Sequence, residues 1–303
     1  MTNALPADIG AAEFDALHDD LPAWRALIED LAAEHSDAAV QQMETSSVLV
    51  ALLGSSHALK LYPPFLRDHF EYERAMLRRV GGRLQLPTPL LLKSGERDGW
   101  PWLLMTQLQG QPLTATWPAL DETQKCTLLR TLGALAAEVH SLPLGDMAGY
   151  APAWDDFIAA QRTACHARQQ RTGLPPHLLQ QLDAFVAGPL PVGPDVMLTG
   201  EYTPMNLLTT SGRLSGMFDF GDGLVGPSAY DWLGPLAFLC AGHVTRCAAF
   251  FGGCGVQPDA AQRLALMRLL LLHRYSCLRA QIAWPNWQQA HSFEALTALI
   301  WPC

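Results

Sequence analysis

The chain has 303 residues, 49% of them hydrophobic and 16% charged, enough to bury one large core or two smaller ones. A formal charge of -9 excludes a nucleic-acid surface, because neutralising phosphates needs clustered Lys and Arg. Seven cysteines, an odd number without close pairs, fit a reducing compartment better than a disulfide framework.

The first 20 residues are acidic and carry no apolar run of signal-peptide length, and the expected location is cytoplasmic. The most apolar later segment, residues 264–283, is interrupted by Arg268, His273, Arg274 and Arg279, so it predicts a buried helix and no association with a membrane.

Residues 13–34 alternate apolar and acidic positions at helical spacing. Two β-rich runs, 47–53 and 57–62, flank the turn "GSS" and predict a hairpin. After Pro63-Pro64 comes a helix, "FLRDHFEYERAMLRRV", in which Leu66, Phe70 and Leu77 keep helical steps and Glu73 takes the missing one on the same inward face. Strands are expected at "TPLLLKSG" and "WPWLLMTQL", then a turn at "QGQP". Helices follow at "DETQKCTLLRTLGALAAEVHSL", 155–170 and 176–187. Short strands punctuated by Gly fill 196–222, and 228–301 reads as helical with breaks at "FGGCG" and "AWPNW".

This order predicts an α+β chain of two lobes: a small β-rich N-lobe, residues 1–107, and a larger, mainly helical C-lobe, residues 108–303. Clefts between such lobes are common ligand sites.

Lys60 is one of only three lysines, and strand alternation puts Ala58, Lys60 and Tyr62 on one face with Leu59 and Leu61 on the other. A carboxylate among Phe70 and Leu77 needs a cationic partner, and Lys60 is the nearest in sequence. The blander alternative is a surface lysine with a snorkelling Glu73; Glu71 is the competing partner but points off the apolar stripe. In the second lobe "VMLTGEYTPMNLL", residues 196–208, is a strand, a Gly turn, a carboxylate at Glu201 and then Asn206. A hairpin with "TSGR" at its tip can bring Asn206 beside Asp219, two hard oxygen donors that suit Mg²⁺; the alternative is ordinary turn residues at hairpin ends. Cys240, Cys247 and Cys254 recur every seven residues with His243 between the first two, but two helical turns separate neighbouring cysteines, roughly 10 Å, which favours small buried side chains over shared ligation.

A lysine strand, a glutamate helix, a crossover, a carboxylate loop with Asn and an Asp-Phe-Gly segment follow the layout of the protein-kinase-like fold. Over about residues 45–240 the chain resembles the aminoglycoside phosphotransferase and choline kinase superfamily, whose loop reads His-Gly-Asp, two residues, Pro, any residue, Asn. "TGEYTPMNLL" keeps Gly200, Pro204 and Asn206 in register, and "FDFGDGLVGPSAYDWL" matches the metal-binding Asp segment and the helix after it, with Tyr230 and Asp231. "LLMTQLQGQPL" is similar to the hinge and "LGALAAEVHSLP" to the helix that follows it.

The resemblance implies an ATP- or GTP-dependent, Mg²⁺-requiring small-molecule kinase. Lys60 would contact nucleotide phosphates and Glu73 would orient it; Asn206 and Asp219 would bind Mg²⁺, and Glu201 would be the general base. Backbone around Thr106 to Leu108 would receive the base, Ala58 and Leu208 would belong to the nucleotide site, and Asp231 would brace the catalytic loop. The acceptor would be a hydroxyl on an aminoglycoside-like or other amine-bearing small molecule, with Asp155 and Asp156 as candidate ammonium partners and Trp154, Trp284 and Trp287 as apolar alternatives whose default is core packing. The chain would act as a monomer or homodimer.

Three positions depart from the pattern. Glu201 stands for the family Asp, Thr199 for the His, and "METSSVLVAL" lacks Gly in the phosphate-covering loop, where Ser46 and Ser47 could offer donors instead. Glu keeps the carboxylate but moves it by roughly 1 Å, a displacement that can cost on the order of 10²-fold in rate. A nucleotide-binding pseudokinase and a nucleotidyl transferase are the competing readings.

Overall fold

The computed structural model describes residues 5–302 apart from 7, 18, 19 and 201. The chain divides into two compact units: residues 1–109 with 216–222, and residues 110–215 with 223–303.

The first unit opens with α1 (Ala11–Leu17) and α2 (Leu21–His35). A five-stranded antiparallel sheet follows, from β1 (Val40–Thr45), β2 (Leu49–Leu53), β3 (His57–Leu61), β4 (Leu91–Arg97) and β5 (Trp100–Thr106), in the order β1-β2-β3-β5-β4. Between β3 and β4 lies α3 (Arg67–Val80). The β2–β3 hairpin turns at Gly54, and Lys60 pairs with Val50 on one side and Leu103 on the other.

Alternation divides this sheet. Leu59 and Leu61 join Phe14, Trp24, Trp100 and Trp102 in one core, with the Trp24 and Trp100 rings 5.6 Å apart. Lys60 and Tyr62 turn to the face where α3 packs. β1 was not foreseen as a strand: "VQQMET" is an edge strand with polar side chains that needs little apolar patterning, and it makes "METSSVLVAL" a strand–turn–strand.

The second unit carries β6 (Gln111–Pro112), α4 (Leu113–Thr116), α5 (Glu122–Ser141), α6 (Trp154–Arg171) and α7 (Pro176–Val186). Next come β7 (Asp195–Leu198), β8 (Leu207–Thr210), β9 (Arg213–Met217), whose last two residues fall in the first unit, and β10 (Leu224–Pro227). α8 (Ala229–Pro235), α9 (Val244–Cys254), α10 (Ala260–Leu272), α11 (Leu278–Gln281) and α12 (Phe293–Ile300) complete it. β7 pairs with β10, and β8 lies between β6 and β9. Asp121 and Gln124 close a capping box on α5, as the sequence "DETQ" favours. No helix of the described residues is long and apolar enough to cross a membrane.

The break expected at "FGGCG" falls at its last residue, Gly255. α9 runs through Gly252 and Gly253 to Cys254 and ends only at Gly255, whose φ of 73° is left-handed. Gly253 is there for packing: a Cβ on it would lie 2.2 Å from the Arg130 carbonyl oxygen, and one on Gly133 would lie 2.3 Å from that of Phe250. The backbones of α5 and α9 therefore touch where two glycines meet. Gly252 faces open space. We expect Gly133→Val to destabilise the protein by at least about 3 kcal/mol, whereas Gly252→Ala stabilises it by about 0.5–1 kcal/mol. Urea unfolding followed by far-ultraviolet dichroism separates the two; equal effects would contradict this account of the crossing.

Candidate active site

In the first unit one ammonium holds two carboxylates. Lys60 Nζ donates to Glu73 Oε2 at 2.6 Å and to Asp219 Oδ1 at 2.8 Å. The Tyr62 hydroxyl donates a further short hydrogen bond to Glu73 Oε2. Lys60 is 6% exposed and Glu73 1%, while the side chain of Asp219 is 39% exposed. Glu71 pairs with Arg74 instead, so the competing partner is excluded.

Charge sharing sets the protonation of this cluster. Burial alone would lower the Lys60 ammonium's pKa, but Asp219 and Glu73 outweigh it and raise the value. Burial, with the Asp219 charge adding to it, raises Glu73 despite Lys60. Burial also works against the Asp219 charge, but Lys60, a hydrogen bond from the Gly221 backbone and His69 together pull its pKa below the usual carboxylate value. Asp219 is thus the carboxylate that stays most firmly ionised. Its backbone is left-handed, φ 69°, a conformation Asp tolerates better than most residues.

The other residues expected at a nucleotide site in this unit are more mixed. Ala58 is half-buried on β3 and pairs with Met105. The Thr106 amide donates to Leu90 O and the Gln107 amide to Ser56 O. The Leu108 amide has no partner among the described residues, and the Leu108 side chain packs against Gly216. Ser46 and Ser47 are exposed in the β1–β2 turn; the Ser46 amide is engaged by Val48 O, so of the donors expected there the two hydroxyls and the Ser47 amide remain.

In the second unit β7 runs into the loop 199–206. Gly200 has φ 82°, which a residue with a Cβ adopts only with strain. Asp231, buried on α8, accepts from the Thr199 amide at 3.0 Å, the Thr199 hydroxyl at 3.2 Å and the Gly200 amide at 2.9 Å; His140 Nε2 of α5 lies 2.9 Å from it. The loop ends in a tight turn, Pro204–Asn206, where the Asn206 amide donates to Thr203 O and the side chain is buried. Leu208 is buried on β8 beside Gly110. Glu201 lies outside the described residues.

A pocket of about 160 Å³ adjoins this loop within the second unit, lined by Gly200, Thr203 and Met205 together with Leu233, Phe238, Leu270, His273 and Tyr275 from α8, α10 and their flanks. Asp155 and Asp156 are exposed in the first turn of α6 and are not among its lining residues. Trp154 packs on Gly226 and Tyr230, Trp284 on Gly242 and His243, and Trp287 is buried, so all three take the core-packing role.

With this geometry in hand, comparison with known proteins is decisive. The model of the phosphotransferase enzyme family matches residues 42–252, more than two thirds of the sequence. The chain belongs to that family. No curated protein matches it. Among solved structures it is similar to the GDP complex of wild-type aminoglycoside 2'-phosphotransferase-IIIa, at 18% identity over 90% of this chain and 98% of that one with a TM-score of 0.65. It is also similar to the macrolide 2'-phosphotransferase MphH from Brachybacterium faecium, at 18% identity over 92% and 98% with a TM-score of 0.59. A third, the streptomycin–ATP ternary complex of APH(2")-IIa, shares 16% identity over 81% and 89% with a TM-score of 0.62. At these identities the likeness establishes a kinase-like phosphotransferase fold.

Sequence reasoning missed three parts of this phosphotransferase. Tyr62 was placed beside Lys60 by alternation, but its bond to Glu73 was not inferred. His140 lies near the end of α5, where nothing in the local spacing ties it to Asp231. His273, which stacks on Tyr230 at 4.7 Å and accepts from the Tyr275 amide, has no local sequence signal.

Burial, followed by the Arg274 charge, holds the His273 imidazole down to about 3 against an ordinary 6.5, although a hydrogen bond with the Gly200 backbone opposes this. The folded protein therefore favours the neutral ring, and the unfolded chain takes up the proton first. The stability this contributes is fully present above pH 6.5 and is lost as pH falls toward 3. Between pH 6.5 and 5 the loss should be about 2 kcal/mol, and His273→Gln should flatten that part of the profile. Denaturant midpoints at the two pH values measure it; identical slopes for wild type and variant would contradict it.

Proposed function

We propose that the protein transfers the γ-phosphate of ATP, or of GTP, to a hydroxyl of a small molecule. The observation that carries this is the buried Lys60–Glu73–Asp219 cluster in a chain of the phosphotransferase family. A lysine fixed between two carboxylates places one positive charge without rotamer search, which is what nucleotide phosphates need from the protein. Glu73 and Tyr62 are the positioning groups.

Asn206 and Asp219 are the proposed ligands of Mg²⁺. The donor set fits, since an amide oxygen and an ionised carboxylate are hard oxygen donors and Asp219 keeps its charge. Bound there, the ion would neutralise charge on the transferring phosphoryl group. Leu108 and its neighbours would hold the base through hinge backbone groups, with Ala58 and Leu208 completing the nucleotide site and the Ser46 and Ser47 hydroxyls facing phosphate.

Glu201 is the proposed general base: it accepts the acceptor hydroxyl's proton as the oxygen bonds to phosphorus and the bond to the nucleotide's leaving oxygen breaks. Support comes from its neighbours, because Asp231 anchors the two residues before it and the Pro204–Asn206 turn follows it closely. Buried Cys240 and Cys165, neither joined in a disulfide, support a reducing, cytoplasmic setting, and the protein is proposed to work as a monomer or homodimer.

The test is product analysis with MgATP and a panel of alcohols. ADP with a phosphorylated acceptor is expected, and pyrophosphate release would sink the assignment. Glu201→Gln should lower kcat by roughly 10²–10³-fold with little change in nucleotide affinity. Asp219→Ala should abolish Mg²⁺-dependent nucleotide binding, read by calorimetry. Full turnover in Glu201→Gln would remove Glu201 from the base role.

A further inference from the structure

The pocket beside Gly200 has a composition that discriminates among acceptors. Among the described residues, none that line it is a carboxylate, a lysine or an arginine. Met205 and Tyr275, each 49% exposed, are two large side chains left open to solvent, and both line this pocket. Its deeper wall is Leu233, Phe238 and Leu270.

The polar groups there are already engaged or neutral. His273 accepts from the Tyr275 amide, hydrogen-bonds the Gly200 backbone and is held uncharged by burial. Gln281 accepts from the Cys277 amide. The exception is Thr203, 6% exposed, whose hydroxyl has no partner among the described residues. Its methyl lies toward Gly234, so one χ1 rotation would bring the hydroxyl to that wall. Glu201 follows Gly200 in the chain, but in the proposed reading it takes the acceptor's proton.

Desolvating an ammonium group against such a wall is costly, since none of the described lining residues can pair it and the proposed reading commits Glu201 to the acceptor's hydroxyl. A void of about 150 Å³ in a protein core takes up benzene, so a pocket of this size holds roughly one ring. We infer that the acceptor is an uncharged alcohol whose apolar body is about one ring in size, and that it is not a polycationic aminoglycoside. This rests on reading the Gly200 loop as the one that presents the acceptor.

Two readouts separate this inference from that reading. Saturation-transfer NMR on the full chain without nucleotide measures binding of 2-phenylethanol, cyclohexylmethanol, their ring-ammonium analogues and kanamycin. MgATP assays with radiolabelled γ-phosphate measure transfer to the same compounds. The uncharged alcohols should bind and be phosphorylated, with kcat/KM at least tenfold above the matched ammonium analogues. Tyr275→Ala should raise KM for the alcohols roughly tenfold while leaving nucleotide affinity unchanged. Tyr275→Glu, at a site exposed enough to fold, should reverse the preference toward the ammonium analogues. If ammonium compounds or kanamycin are phosphorylated as well as the neutral alcohols or better, the inference falls and the phosphotransferase reading stands. If neutral alcohols bind, lose affinity in Tyr275→Ala and yet receive no phosphate, the pocket's preference stands and the phosphotransferase reading falls. If nothing binds and nothing is phosphorylated, both fall.

Discussion

A single ammonium shared by two carboxylates is the constraint on which the first unit is organised. Removing a lysine and a glutamate from water is expensive, and one hydrogen bond between them would not offset it. Here Lys60 reaches both Glu73 and Asp219, and Tyr62 supplies Glu73 with a second donor, so the buried charges are paired and hydrogen-bonded together. Each member comes from a different element. β3 brings Lys60 and α3 brings Glu73, while the segment 216–222 returns from far along the chain to bring Asp219. The asymmetry of the two carboxylates follows from position: Glu73 is enclosed and pushed toward its protonated form, whereas Asp219 is partly exposed and held ionised by Lys60 and the Gly221 backbone.

The second unit uses the inverse device. Asp231 is buried, and its partners are mostly donors from one loop: two amides, a hydroxyl, and His140 behind them. Four contacts on one carboxylate fix a stretch of backbone that contains a left-handed glycine and would otherwise have little reason to keep one shape. Thr199, where the resemblance would lead one to expect His, donates its hydroxyl to the same Asp231.

Periodicity made much of this legible. Two-residue alternation separated Lys60 from Leu59 and Leu61, and the helical step turned Glu73 inward beside Phe70 and Leu77, because both are local geometric consequences of strand and helix. Motif spacing marked the loop around Gly200 and Asn206. What escaped was decided by tertiary contact. Gly252 and Gly253 look alike in sequence, but one faces open space and the other lies against α5, so a stretch that ends a helix at Gly255 also carries a helix crossing. The pocket walls at Leu233, Phe238, Leu270 and Tyr275 are spread over more than forty residues without a motif, and only the fold collects them. Asp155 and Asp156, plausible from position alone, are exposed first-turn residues of α6.

The extra methylene at position 201 can now be considered against its surroundings. The residues just before it are tied to Asp231 through both amides, and the chain just after it enters buried Tyr202 and Thr203 and then a proline-led turn. Exchanging Asp for Glu there displaces the carboxylate by roughly 1 Å. In the proposed reading, that displacement is matched by where the acceptor oxygen sits. A small apolar body in the pocket beside Gly200 can settle at whatever depth its packing dictates, because dispersion contacts do not fix direction as ion pairs do. A polycation held by several directional salt bridges has no such latitude. The proposed longer base and the apolar described walls of the pocket therefore agree: both favour an acceptor located by shape.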